Sequence, residues 1–537
     1  MYLKSKTRNR VVIYLAFVSV CIYYTYSIAS ISSDSPHAFD DLNSFLLQTK
    51  LFFECESIGC YGTFFITPTV YPHPQIGTRI ISIILHSTIG IDFRVINTFG
   101  ALFALIFTFI SVVRNFENSV LEVLLFCVVF LIPLHATVTW GATSLNAPFR
   151  LLTTYMALYF TSKNSYVYSG IFTFLSTFSG GTGIFTPILN LFFIRKFILE
   201  YKSILFMFFN FTIMIIFFSS IYGAQLDHSI GSSVTDIFDF NYLLPFLLVG
   251  QTFNSSLNLY GSWLTIVPGI ILLGLFVFTI IRNYIESKNT DFYLVFVLSQ
   301  LLPIVINSSV RYSNVEMDEL FNVVIPRHET LSIYFVLSLL LYIFRSVRKK
   351  SNYRYQLFLI IGIILSIYPR HFKNWEKLSY KKAYAKNFIS SQFFYKNSEN
   401  KLFDKRIYNQ LPKAISSGYF IPSTDWFIEK TEMNIIEDAS FDDTDKKALH
   451  ILNYEVRSNI LFLQLQNISQ SDEIDLLFVT EEISYNVNVH FKNRMNRSIV
   501  LNLEDFNAVN RFRLFVKDSN LDQNYYVSTN LIVYNKN

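Results

Sequence analysis

Through residue 368 the chain runs in long apolar segments joined by short polar connections, and from about residue 425 the period becomes two. Apolar stretches at 11–31, 95–113, 119–135, 146–161, 165–178, 184–199, 203–222, 260–281, 291–307, 329–345 and 355–368 predict eleven membrane helices. Two other apolar stretches do not fit as crossings. Residues 76–91 are short and bounded by Gly77 and Gly90, and counting them as a span would invert the charge of every later loop; they predict an interfacial helix. Residues 242–257 contain Pro245, Gly250 and Asn254 and predict an outward re-entrant or interfacial segment. Residues 38–53 place Phe39, Leu42, Phe45 and Leu46 at amphipathic helical spacing, suited to a membrane surface. Ser179-Gly180-Gly181-Thr182-Gly183 predicts a tight outward turn between two spans.

After Tyr368 the pattern changes. Residues 369–424 are polar and rich in Tyr and Lys, predicting short helices and turns. Beyond them Tyr485, Val487 and Val489 alternate with Asn486, Asn488 and His490, and Leu461/Leu463/Leu465 and Phe512/Leu514/Val516 keep the same period. Short strands separated by Asn, Asp and Ser predict a β-sandwich. The expected architecture is a polytopic α-helical membrane protein with a C-terminal extracytoplasmic β-sandwich. Its parts are a membrane module at 1–368 with a first outward loop at 32–94, a helical connector at 369–424, and a β-domain at 425–537.

Charge fixes the orientation. One set of connections carries Lys4, Lys6, Arg8, Arg10, Arg114, Lys163, Arg195, Lys196, Lys202, Arg282, Lys288, Arg345, Arg348, Lys349, Lys350 and Arg354, and the other is nearly bare. The positive-inside rule then puts the N-terminus in the cytoplasm and the C-terminus outside. The basic N-terminus and the apolar run after it resemble a signal peptide without a small-residue cleavage site, which reads as a retained anchor. Only 15% of the 537 residues are charged and 52% are hydrophobic, against about 25% charged in soluble domains. The net charge of +5 therefore has a topological cause and does not argue for nucleic acid. Cys55 and Cys60 lie in the first outward loop, where oxidising conditions permit a disulfide; two free thiols are the alternative.

The candidate chemistry lies at the outward ends. No P-loop, dinucleotide fingerprint, HExxH or Gly-x-Ser-x-Gly motif is present, and no cofactor or metal is implied; Asp227–His228 alone is a weak metal signal. A transporter would place ionisable groups near the midplane. Here Arg94, Arg311 and Arg327 stand out among sparsely charged outward loops, with the acidic pair Asp40–Asp41 in the first of them.

This order of elements resembles the multi-spanning C-type glycosyltransferase superfamily. The resemblance covers most of the first 368 residues: Asp40–Asp41 in the first loop, His73-Pro74 before the interfacial helix, Gly90 with Arg94 before the second span, the Gly-rich turn, then Arg311 and Ile325-Pro326-Arg327-His328 before a late span. His328 stands where bacterial members commonly have an aromatic residue, and the Lys often found near the Gly-rich turn is absent. The resemblance implies a multi-pass protein of the bacterial inner membrane. It would move a sugar from a polyprenyl-phosphate donor to an extracytoplasmic glycan or lipid-linked acceptor. A carboxylate, Asp40 or Asp41, would take the acceptor proton, and arginines would hold the lipid phosphate, since the guanidinium fork matches phosphate oxygens. Arg311, Arg327, His328, Arg94 and His73 are the implied binding residues.

Each has a plainer role open to it. The aspartates can cap a helix, Arg94 can pair with Asp92 or reach headgroups, and Arg311 and Arg327 can pair with Glu316, Asp318 or Glu319. A polysaccharide polymerase and a non-catalytic export component are the alternative functions.

Overall fold

The computed structural model describes residues 2–32, 45–46, 48–66, 74–114, 120–131, 138, 141–194, 200–225, 244–250, 252, 259–285, 291–310, 325–346, a few positions between 361 and 378, and strand residues between 427 and 533. It is helical throughout its first part. The chain divides into two compact units, one of Met1–Ser32, Glu54–Ile83 and Arg94–Lys381, the other of Ser33–Phe53, Ile84–Phe93 and Lys382–Asn537.

The helices follow the apolar runs. They are α1 (Tyr2–Ile31), α2 (Gln48–Phe53), α3 (Ile58–Ile66), α4 (Ile76–Thr88), α5 (Phe93–Thr108, continued by a π turn to Val113) and α6 (Val120–Phe130). Then come α7 (Gly141–Ser162), α8 (Tyr166–Thr177), α9 (Phe185–Ile194), α10 (Tyr201–Gln225), α11 (Leu244–Gly250), α12 (Leu259–Ile285), α13 (Asp291–Val310) and α14 (Ile325–Ser346). Among the described residues four helices are long and apolar enough to cross a membrane: Arg10–Ile31, Phe93–Val113, Tyr201–Ser220 and Thr265–Arg282. They leave large apolar side chains outward, among them Leu15, Ile22, Phe208, Ile215 and Phe278. A surface of that composition is stable against lipid and not against water. The protein is therefore a helical membrane protein.

The two segments excluded as crossings are short helices. With 13 residues α4 is about 20 Å long, and with 7 residues α11 is about 10 Å, against a hydrocarbon core of about 30 Å. Protein covers α11, where Leu244, Leu247, Leu248 and Val249 are buried. A Cβ on Gly250 would lie 1.7 Å from the Thr265 carbonyl oxygen, and one on Gly269 would lie 1.9 Å from that of Phe246. Only glycines let α11 and α12 approach this closely. Ser332 of α14 donates to the Val249 carbonyl at 2.8 Å and bonds Thr252 at 2.5 Å, which satisfies the end of the short helix. Helix α7 begins at Gly141, earlier than the apolar run at 146–161, and carries Pro148 in its interior. Membrane helices tolerate such a proline because neighbouring groups take up the freed carbonyl. Of the expected span at 355–368 only Ile361 lies within the described residues.

Polar side chains tie the helices together. Asn190 of α9 is at the centre: its Oδ1 accepts from Thr161 of α7 at 2.8 Å, and its Nδ2 donates to Thr173 of α8 at 2.8 Å and to Asn210 of α10 at 3.0 Å. Asn210 passes the chain on to the Phe206 carbonyl at 2.6 Å. Nearer the Gly-rich turn, Thr154, Ser176 and Thr186 form a hydroxyl triangle joining α7, α8 and α9. Aromatic rings fill the space beyond, with Phe107, Phe130, Tyr155, Phe296 and Tyr334 meeting mostly edge to face.

In the C-terminal part the strands lie where the alternation predicted them. Strands β5 (Ile460–Asn467), β7 (Ser484–His490) and β9 (Arg511–Asp518) hold the three alternating sets. One sheet has the order β1-β8-β5-β4, with β1 at Phe427–Ile428, β4 at Leu449–Arg457 and β8 at Asn496–Asn502. The other has the order β2-β7-β6-β9-β10-β3, with β2 at Met433–Ile436, β3 at Phe441–Asp442, β6 at Glu473–Val479 and β10 at Tyr525–Val527. Leu463 and Leu465 are buried, as one covered face of β5 requires.

Helix spacing at one glycine makes a direct test. A Cβ on Gly100 of α5 would lie 2.2 Å from the Ser144 carbonyl oxygen on α7. Gly100→Ala should force α5 and α7 apart and cost about 1–3 kcal/mol. A thermal-shift measurement in detergent should register the loss.

Candidate functional site

Four helix ends meet at one narrow cleft. Its lining includes Tyr24 and Ile28 of α1, Asn97, Gly100 and Ala101 of α5, Ser144 and Pro148 of α7, and Thr330 and Tyr334 of α14. The helices arrive in different directions: α1 ends here, whereas α5, α7 and α14 begin here. Helix starts favour negative charge and helix ends oppose it, and both kinds are present here, since α1 closes at Ile31 and α6 at Phe130. Asn97 fixes their spacing, donating to Ser32 at 3.1 Å and accepting from Ser144 at 2.5 Å, so one buried amide joins α1, α5 and α7. The cleft measures about 20 Å³, room for roughly one water. Phe130 and Tyr334, with rings 5.9 Å apart, form its floor.

Two of the sequence-predicted arginines lie on the faces that line this cleft. Arg94, exposed in the first turn of α5, precedes the lining residues Asn97 and Ala101 by three and seven positions. Arg327, in the first turn of α14, precedes Thr330 and Tyr334 by the same three and seven. At 3.6 residues per turn, each arginine shares the lining face one to two turns nearer the helix start. His328 follows Arg327 in the same turn, and the side chains of both lie outside the described residues. Asp40, Asp41, His73 and Arg311 also lie outside the described residues, as does Asp227–His228.

Two arginines that loop counting passes over are part of this region. Arg150 is half-buried on α7, and its Nη1 donates to Thr182 Oγ1 in the Gly-rich turn. Among the described residues its side-chain partners are Thr182 and, electrostatically, Tyr334 of the cleft floor; no carboxylate is among them. A guanidinium within a membrane helix is costly and marks a functional position by default. The turn that meets it is shaped by glycines. Gly180 has φ +135°, and a Cβ on Gly183 would lie 1.9 Å from the Ser176 carbonyl oxygen.

Arg79 of α4 is 1% exposed, with its guanidinium 4.9 Å from the centre of the Phe64 ring. Burial pulls Arg79 down to about 9, so it keeps its charge at neutral pH. Helix α4 is anchored beside the Gly-rich turn, where Ile76 N–H donates to the Phe178 carbonyl at 2.8 Å. Both arginines interrupt apolar runs, Arg79 in α4 and Arg150 in α7; treating any charge within such a run as a signal would have found them.

Cys55 and Cys60 form a disulfide with Cα atoms 5.6 Å apart, linking the connection between α2 and α3 to the first turn of α3. Among the described residues no group of three or more His, Cys, Asp or Glu could hold a metal ion. No protein-family model, curated protein or solved structure matches the chain.

If Arg150 serves a ligand, its removal should not harm the fold. Arg150→Met deletes a half-buried charge that has no carboxylate partner among the described residues and should leave the melting temperature unchanged or raised. A fall of several degrees in a detergent thermal melt would instead make the bond to Thr182 its purpose.

Proposed function

We propose that this chain is a C-type membrane glycosyltransferase. It transfers a sugar from a polyprenyl-phosphate donor to a glycan or lipid-linked acceptor outside the cytoplasm. The observation that carries the reading is the cleft whose lining helix faces bear Arg94 and Arg327, with Arg150 bonded to Thr182. Arginines in such a setting are matched to a developing negative charge. We further assign eleven spans, a cytoplasmic N-terminus, and an outward C-terminal domain whose two sheets pack as a sandwich. Support for the outward C-terminus comes from unit membership: Gln48–Phe53 and Ile84–Phe93 of the first outward loop belong to the same compact unit as Lys382–Asn537.

The proposed reaction displaces the lipid phosphate from the sugar. Asp40, or Asp41, takes the proton of the acceptor hydroxyl as its oxygen attacks the anomeric carbon. The anomeric carbon–oxygen bond to phosphate breaks, and its electron pair leaves with the polyprenyl phosphate. Arg311 and Arg327, supported by Arg94, His328 and His73, stabilise the growing charge, and the aspartic acid returns its proton to water.

Purified protein in proteoliposomes with polyprenyl-phosphate sugar donors tests the chemistry. Asp40→Asn or Asp41→Asn should lower the transfer rate about 10²–10⁴-fold while the protein stays folded. Full activity in both variants sinks the assignment of the base.

The phosphate contact is tested separately. Arg327→Lys keeps the charge but loses the two-pronged donor, so donor affinity should fall while insertion into the membrane is unchanged. Donor binding that is unchanged in Arg327→Ala would make this arginine a structural partner instead.

A further inference from the structure

On a different face of the helical unit, α8 and α10 run side by side and enclose an apolar groove of about 410 Å³. Tyr166, Gly170 and Phe174 line one wall, and Phe206 and Phe209 line the other. Gly170 lets the Phe209 ring of α10 pack close against α8, since a Cβ there would lie 3.2 Å from Phe209 Cε1, and the open trough runs along these two residues. The rings of Tyr166 and Phe206 stack at 5.1 Å, and Tyr166 Oη bonds Ser203 Oγ at 2.8 Å, closing one end of the groove.

That closed end is basic. Lys163 lies just before Tyr166, and Lys202 lies just before Ser203; both are exposed. Lys163 Nζ is 6.0 Å from the centre of the Tyr159 ring. Glu200, also exposed, is the acidic residue at this end. Both α8 and α10 begin here, so their positive ends add to the lysines, and the N-cap Ser165 makes no side-chain capping bond. The arrangement is an apolar trough headed by positive charge, in a connection whose basic residues mark the cytoplasmic leaflet.

We propose that this groove binds an anionic phospholipid of the cytoplasmic leaflet, with its phosphate between Lys163 and Lys202 and one acyl chain along Gly170 and Phe209. The apolar walls match a chain, and among the described residues at this end two ammonium groups face one carboxylate. The site is independent of the proposed sugar transfer and rests on the proposed orientation, which puts this end of α8 and α10 on the cytoplasmic side. Ser203, buried behind the closing Tyr166 bond, keeps the two helices in register so that the trough persists without its lipid.

The test uses the full-length protein in detergent, titrated with dioleoyl phosphatidylglycerol and dioleoyl phosphatidylcholine and read by native mass spectrometry. Phosphatidylglycerol should bind in preference. Lys163→Gln and Lys202→Gln should each weaken it about fivefold and leave phosphatidylcholine unchanged. Val167→Trp, at a position 76% exposed that lines the groove, should block the acyl chain and weaken both lipids without disturbing the fold. Equal binding of the two lipids, or unaltered phosphatidylglycerol binding in the lysine variants, overturns the proposal. So does displacement of phosphatidylglycerol by an equimolar polyprenyl phosphate, which would make the occupant a donor lipid.

Discussion

Inside hydrocarbon a polar side chain has only other protein groups to bond with, and the positions of these helices follow from that requirement. Asn190 shows it most fully, because its amide is shared among Thr161, Thr173 and Asn210 on three neighbouring helices. Apolar packing alone would let α7, α8, α9 and α10 slide or rotate, since lipid tails are as apolar as leucine. An amide that must be satisfied from several sides removes that freedom. Single interhelical bonds of this kind are worth about 0.6 kcal/mol on average, so their value lies in fixing geometry as much as in strength.

Close approach of backbones is the second half of the same design. At Gly100 the backbones of α5 and α7 come near enough that Asn97 can reach both Ser32 and Ser144. The end of α1 and the starts of α5 and α7 are thereby held at one cleft by groups already bonded to one another. Groups preorganised in this way meet a developing charge without a reorganisation cost, which is what displacement of a phosphate needs. Arg150, bonded to Thr182 across to the Gly-rich turn, is held by the same economy of contacts.

The sequence makes the helices legible because crossing a membrane demands long apolar runs, and it makes the short ones legible because charge alternation rejects 76–91 and 242–257 as crossings. The strands at 460–467, 484–490 and 511–518 are legible from their period of two. The Gly-rich turn is legible as a break, but its meeting with Arg150 is not, because that contact joins α7 to a turn beyond α8. Arg79 and Arg150 escape a reading based on loop charge because each sits inside an apolar stretch, where its neighbours dominate the pattern. The Asn190 network escapes for the same reason. Its members are spread over four apolar runs with no local signal that they meet. Arg94 and Arg327 were legible as isolated outward charges, and what only the fold adds is that their helix faces line one cleft.

The size of the cleft constrains how the proposed reaction is arranged. At about 20 Å³ it holds a water and not a sugar, so it cannot be the container for the donor. In the proposed reaction the phosphate would therefore sit at the rim, one to two turns nearer the helix starts than Asn97 and Tyr334. That is the level of Arg94 and Arg327 on their helices. In the proposed topology the rim is the outward end of these helices, so a polyprenyl chain held there would stay in lipid while its sugar meets the outward loops. The aromatic floor of Phe130 and Tyr334 then has a definite task. Their edge-to-face packing gives the cleft an apolar lining, and a charge held at the rim of such a lining is screened less than it would be in bulk water.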